Sequence, residues 1–177
     1  MSELGDRLLA VHDCLDEAGI SHAIGGAIAL GYCTLEPRGT RDLDVNVFVG
    51  PDRVKDVFAA LPEPVAISGL QLEQAEQDGQ VRLWWEQTPV DVFFSVLPFH
   101  QQVAAEVRHV SFEGRTIPVV GCTGLAVFKA MFDRPRDWVD IEAMVETRSV
   151  DLDEAKRWVV QMVGEDDRVE KLTALGS

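Results

Sequence analysis

Positive charge is what this sequence lacks most. Sixteen Lys and Arg residues stand against thirty Asp and Glu, which leaves a formal net charge of −14 over 177 residues. The deficit is spread along the chain: 8 basic against 18 acidic residues in 1–120, and 8 against 12 in 121–177. Neither part offers a basic face by composition, so counterion release contributes little to nucleic-acid binding. The field favours cationic acceptors, a basic partner protein, or substrates that arrive with a divalent cation. A spatial cluster of Arg38, Arg41, Arg82 and Arg115 is the remaining route to a basic patch. Cysteine is scarce too: Cys14, Cys33 and Cys122 are odd in number, scattered, and without the paired spacing of a zinc or redox motif. That pattern leads to the expectation of a cytosolic, cytoplasmic protein with reduced, mostly buried thiols. No apolar run is long enough to cross a bilayer, and the start, Met1 to Asp6, lacks the basic flank and apolar stretch of a signal peptide. His12, His22, His100 and His109 are dispersed and form no triad or metal spacing.

What is present is ordinary globular composition, 46% hydrophobic and 26% charged, in a length suited to one domain or a domain with a small appendage. Leu8, Val11, Leu15 and Ala18 recur at helical spacing within 4–18, and Gly19 follows as a stop. Residues 21–24 read as a short strand, and 27–35 as a small-residue helix. Residues 43–49 alternate as a strand, with Leu43, Val45 and Val47 on one face and Asp42, Asp44 and Asn46 on the other. A helix from Gly50 to about Leu61 is broken by Pro62 and Pro64. Beyond it come a strand at 65–67, a helix at 70–77, and strands 81–86 and 90–97 joined across Gln87, Thr88 and Pro89. A helix at 98–107 precedes a hairpin around Glu113, Gly114 and Arg115. From Cys122 the period is helical, over 122–133, 136–147 and 151–163. The expected layout is α/β (α+β): a mixed β-sheet flanked by helices in residues 1–120, with a small helical segment, 121–177, packed on it.

The residues suited to chemistry are few. Asp42 and Asp44, two apart on a strand, point to one face at about 6–7 Å separation. A bound Mg²⁺ is the usual way to keep such close carboxylates ionised. Asp91 stands among Val90, Val92, Phe93 and Phe94, where an acid without a partner costs several kcal/mol if buried. A metal shared with Asp42 and Asp44 supplies that partner, and Asp91 then also suits the role of general base. Gly25 and Gly26, at the start of the helix after the first strand, let backbone N–H groups approach a phosphate. Arg38 and Thr40 precede the acids as phosphate contacts, with Arg38 equally suited to the surface. Lys129, on an apolar helix, either reaches a triphosphate or extends to solvent. Asp137 and Asp140 are one helical turn apart and are read as capping or arginine-pairing residues. Trp84 and Trp85 offer at most one ring for stacking, since adjacent strand residues face opposite ways. Three convergent carboxylates beside a phosphate-holding turn are the parts of a metal-dependent phosphoryl or nucleotidyl transfer site.

The order Gly25-Gly26, Arg38-x-Thr40-x-Asp42-Leu43-Asp44 and Asp91, with Lys129 and then Arg136-Asp137-x-x-Asp140, resembles the nucleotidyltransferase superfold related to DNA polymerase beta. The likeness spans roughly residues 20–145. It is closest to the small bacterial branches: AbiEii-type toxins, minimal nucleotidyltransferases and the aminoglycoside or lincosamide enzymes. The resemblance implies two Mg²⁺ ions held by Asp42, Asp44 and Asp91, with Asp91 activating the acceptor. It also implies an NTP whose phosphates lie against Gly25 and Gly26, transfer of a nucleoside monophosphate to a hydroxyl acceptor, and release of pyrophosphate. The acceptor is a small molecule, a protein such as a cognate antitoxin, or RNA, and charge favours the first two. The alternative is a nucleotide- or partner-binding module on the same fold without activity. Two departures from the pattern stand out: Gly26 where Ser is frequent, and a longer gap from the glycines to Asp42.

Overall fold

A computed structural model of the chain describes residues 2–176. It divides into two compact units: the chain up to Gly26 with Gly39–Val120, and Ala27–Arg38 with the chain from Gly121 onward.

The first unit carries a seven-stranded mixed sheet of order β3-β4-β5-β2-β1-β7-β6. Its strands are β1 (His22–Ile24), β2 (Leu43–Val47), β3 (Val65–Ala66), β4 (Gln80–Trp85), β5 (Thr88–Phe94), β6 (Arg108–Phe112) and β7 (Arg115–Val119). β2 runs parallel to β5 and β1 parallel to β7, while the other neighbours are antiparallel. Alternation drives the burial. Leu43, Val45 and Val47 of β2, Val90, Val92 and Phe94 of β5, and Val81 and Leu83 of β4 are all buried, and they share one face of the sheet. Helix α1 (Glu3–Glu17) adds Leu8, Val11 and Leu15 to this core, and α3 (Val54–Ala60) adds Val54, Val57 and Phe58. Helix α4 (Gly69–Asp78) packs beside β4, opened by a reciprocal Ser68–Gln71 capping box and closed by Gly79 at φ +66°. Helix α5 (Phe99–Ala105) buries Phe99 and Val103.

Arg7 of α1 fastens the β4–β5 hairpin. Its guanidinium donates to the Trp85 carbonyl at 3.0 Å and to the Thr88 hydroxyl, Glu86 and Glu3, and it stacks 5.6 Å from the Trp85 ring. The turn is Glu86-Gln87, not Gln87-Thr88-Pro89 as the sequence suggested. Pro89 lies inside β5 opposite Trp84, next to the tight Trp85–Thr88 pair, where an antiparallel ladder asks for no N–H toward β4.

The second unit is helical: α2 (Gly26–Thr34) beyond its first residue, α6 (Cys122–Phe132), α7 (Pro135–Glu146), α8 (Leu152–Val163) and α9 (Asp167–Leu175). Sequence periodicity found all of these except α9, which is short, capped by the Asp166 side chain, and buries only Val169 and Leu172. A Cys33–Cys122 disulfide joins α2 to the start of α6, and the Cys33 carbonyl accepts from Thr147 Oγ1 at 2.9 Å. This corrects the expectation of reduced thiols: residues 89 apart in sequence are neighbours in the helical packing, which no local spacing reveals. The cytosolic expectation loses that support. No helix among the described residues is long and apolar enough to cross a membrane.

Candidate active site

The polar face of the sheet gathers the first unit's candidates by register alone. Arg82 on β4 pairs with Asp91 on β5, Asp91 pairs with Asp44 on β2, and Gly25 at the end of β1 donates its N–H to the Asp44 carbonyl at 2.8 Å. Three strand positions, with Gly25 one residue past β1, therefore form one row, about 4.8 Å apart from strand to strand. Asp42 falls one residue before β2 rather than within it, and Thr40 shapes that approach. The Thr40 hydroxyl accepts from the Asp42 N–H at 3.2 Å and lies 3.3 Å from the Asp42 carbonyl.

The glycine turn is fitted to Asp44. Gly26 has φ +54°, a conformation that L side chains rarely adopt, and a Cβ built there overlaps the Asp44 carboxylate. A Cβ at Gly25 falls 2.8 Å from Asn46 Nδ2. The absence of Ser at position 26 thus has a local cause: the Asp44 carboxyl group occupies the space a side chain needs.

The cation on this face is Arg82. Its Nε and Nη2 hold both oxygens of Asp91 at 2.7 and 2.6 Å, and Nη2 lies 3.8 Å from Asp42 Oδ2. The hydrogen bonds to Asp91, reinforced by the charges of Asp91, Asp42 and Asp44, hold the guanidinium pKa well above its ordinary value. Among the described residues no three His, Cys, Asp or Glu side chains are grouped to hold a metal ion. Two of the three acids instead turn to Arg82. In kind the donors match Mg²⁺, since Asp42, Asp44 and Asp91 all offer the hard carboxylate oxygens it takes, Asp44 and Asp91 from neighbouring strands and Asp42 from the residue before β2.

Arg38 and Lys129 belong to the second unit and are engaged there. Lys129, buried on α6, donates to Asp140 at 2.7 Å and to Asp137 at 3.5 Å. Asp140 also takes the Arg38 guanidinium, and Asp137 takes Arg134 at 2.6 Å. Burial pushes the Asp137 carboxyl upward, but the Arg134 hydrogen bond and the Lys129 and Arg134 charges outweigh it and hold the group below its ordinary value. The pairing expected of Asp137 and Asp140 is therefore present. Three of the four arginines considered for a basic patch are paired with carboxylates: Arg82 with Asp91, Arg115 with Asp13, and Arg38 with Asp140.

Comparison of the sequence with family models and with curated proteins finds no match. Comparison of the structure does. ANT(2″)-Ia in complex with adenylyl-2″-tobramycin aligns with a TM-score of 0.58 at 12% identity, over 99% of this chain and 98% of that one. The lincosamide antibiotic adenylyltransferase LnuA, lincomycin-bound, aligns at 0.56 and 13% identity, over 83% and 98%. An antigenic nucleotidyltransferase-like protein from Paracoccidioides brasiliensis aligns at 0.56 and 18% identity, over 97% and 93%. The chain has the nucleotidyltransferase fold.

Within this nucleotidyltransferase fold, sequence reasoning located the acids and the glycine turn but left Arg82 out of the site. Its signal is the position it shares with Asp91 across the β4–β5 hairpin, legible once the turn is placed at Glu86-Gln87. The same ladder separates the two tryptophans. Trp85 lies with Arg7, whereas Trp84, 43% exposed and two residues from Arg82, is on the acid face.

Proposed function

We propose that this chain is a nucleotidyltransferase, moving a nucleoside monophosphate from an NTP to a hydroxyl of a cationic small molecule. The observation that carries this is the row Gly25–Asp44–Asp91, with Asp42 beside it, on a fold shared with enzymes named for that transfer. In the reaction the acceptor oxygen bonds to the α-phosphorus. The bond from that phosphorus to the oxygen bridging to the β-phosphate breaks, pyrophosphate leaves, and the hydroxyl proton passes to Asp91. Asp42, Asp44 and Asp91 are the residues to hold Mg²⁺, which when bound neutralises phosphate charge. Gly25 and Gly26 let the phosphates approach the backbone, and Thr40 is the candidate contact to the nucleotide from the same unit. The acidic face and the net charge of −14 suit a polycation such as an aminoglycoside better than RNA. An NTP donor places the work in a cytoplasmic compartment.

A second reading is favoured by one observation: both oxygens of Asp91 are held by Arg82. On that reading the fold binds nucleotide without transferring it. Pyrophosphate release, measured over four NTPs with Mg²⁺ and a panel of aminoglycosides, separates the two. Acceptor-dependent release that falls at least a hundredfold in Asp44→Asn is expected. NTP binding with no release from any combination supports the inactive module.

A further inference from the structure

The charge of the acid face is offset in part from within the chain, and the offsetting group occupies an atom pair the reaction needs. A planar guanidinium that presents two donors to one carboxylate is among the strongest ion pairs proteins make. Arg82 forms that arrangement with Asp91 and reaches toward Asp42 as well. Each oxygen of a carboxylate engaged in this way keeps a free lone pair, but a proton or cation arriving there meets the guanidinium charge and competes with it. Three like charges on one face nevertheless require a nearby cation.

Arg82 is built to let go. Arg7 in the same unit is buried and shared among Glu3, Trp85, Glu86 and Thr88, a locked structural contact. The Arg82 side chain is 52% exposed, and its guanidinium pairs with the acids Asp91 and Asp42. Its backbone is anchored separately, the Arg82 carbonyl accepting from Gln71 Nε2 at 3.1 Å, so the side chain can swing while the strand stays in place.

The geometry points to Arg82 as an exchangeable counter-ion. It offsets part of the acids' charge in the resting site, yields Asp91 to a divalent cation, and then offers its guanidinium to the phosphates of the incoming nucleotide. This rests on the nucleotidyl-transfer reading of the site. It adds that metal and nucleotide binding are coupled in opposite senses through one side chain: loss of Arg82 favours the metal and disfavours the nucleotide.

Calorimetric titration of Mn²⁺ without nucleotide tests this on wild type, Arg82→Gln and Asp44→Asn, each first shown to be folded by its thermal transition. Arg82→Gln is expected to bind Mn²⁺ about tenfold more tightly than wild type, with NTP binding weakened by a similar factor. Asp44→Asn is expected to lose the Mn²⁺ site. In the wild type, Mg²⁺ should shift the Arg82 Nε–H resonance, assigned by its absence from Arg82→Gln, toward that of a solvated arginine. Mn²⁺ binding that needs Asp44 but is equal or weaker in Arg82→Gln overturns the counter-ion role and leaves the transferase proposal standing. Absence of Mn²⁺ binding from wild type and Arg82→Gln alike overturns both.

Discussion

At the scale of single residues the site depends on how closely Asp44 and Gly26 are fitted. Gly26 combines a positive φ with a position directly under the Asp44 carboxylate, so a methyl group there is strained twice, in the backbone and against the acid. Gly26→Ala should cost about 1–3 kcal/mol in stability and displace Asp44, with transfer activity falling further than the stability loss explains. Urea unfolding and steady-state kinetics on the same preparation check this. A variant as active as wild type would show that Asp44 does not need its present position. The glycine pair and the alternating acids were legible in sequence because both are local: a turn composition and a period of two. Arg82 was not, because its place beside Asp91 depends on cross-strand register, which moves with the exact turn.

Among elements, the hairpin and the last helix show where local signals lose force. Pro89 looks like a turn residue but takes a strand position that needs no donor. Helix α9 buries two side chains, too few for periodicity to stand out. The second unit is held in part by an ion network among α2, α6 and α7, since Lys129 on α6 serves Asp137 and Asp140 of α7 and Arg38 follows α2. Lys129→Met should cost about 3 kcal/mol, because it leaves buried carboxylates short of a partner. Urea unfolding measures it. The pH dependence has a defined sign. The folded Asp137 value lies below the ordinary 3.8, so its stabilisation is complete above that value and is lost as pH falls through the depressed one. Removing the Lys129 charge raises the folded value, so acid unfolding of the variant should begin at higher pH. An acid midpoint equal to wild type would mean the network contributes nothing at that scale.

For the whole molecule, the α/β layout with a helical tail was readable from element order and from the change of period after Cys122. The inclusion of Ala27–Arg38 with the tail, and the Cys33–Cys122 bond within that unit, were not. Contacts made between residues some ninety positions apart leave no trace in local composition. Charge is the property read equally well at both levels. Every candidate arginine that pairs does so with a carboxylate of its own unit, which leaves the excess acid to set the field met by an acceptor. Nucleotidyl transfer requires attack at the α-phosphorus, whereas phosphoryl transfer requires attack at the γ-phosphorus. The two are told apart by incubating the protein and Mg²⁺ with NTP labelled either at the α- or at the γ-phosphate, in the presence of an aminoglycoside panel. Attack at the α-phosphorus puts α-label in the acceptor and γ-label in pyrophosphate, and Asp44→Asn yields neither. Label appearing in the acceptor from the γ-phosphate would contradict nucleotidyl transfer.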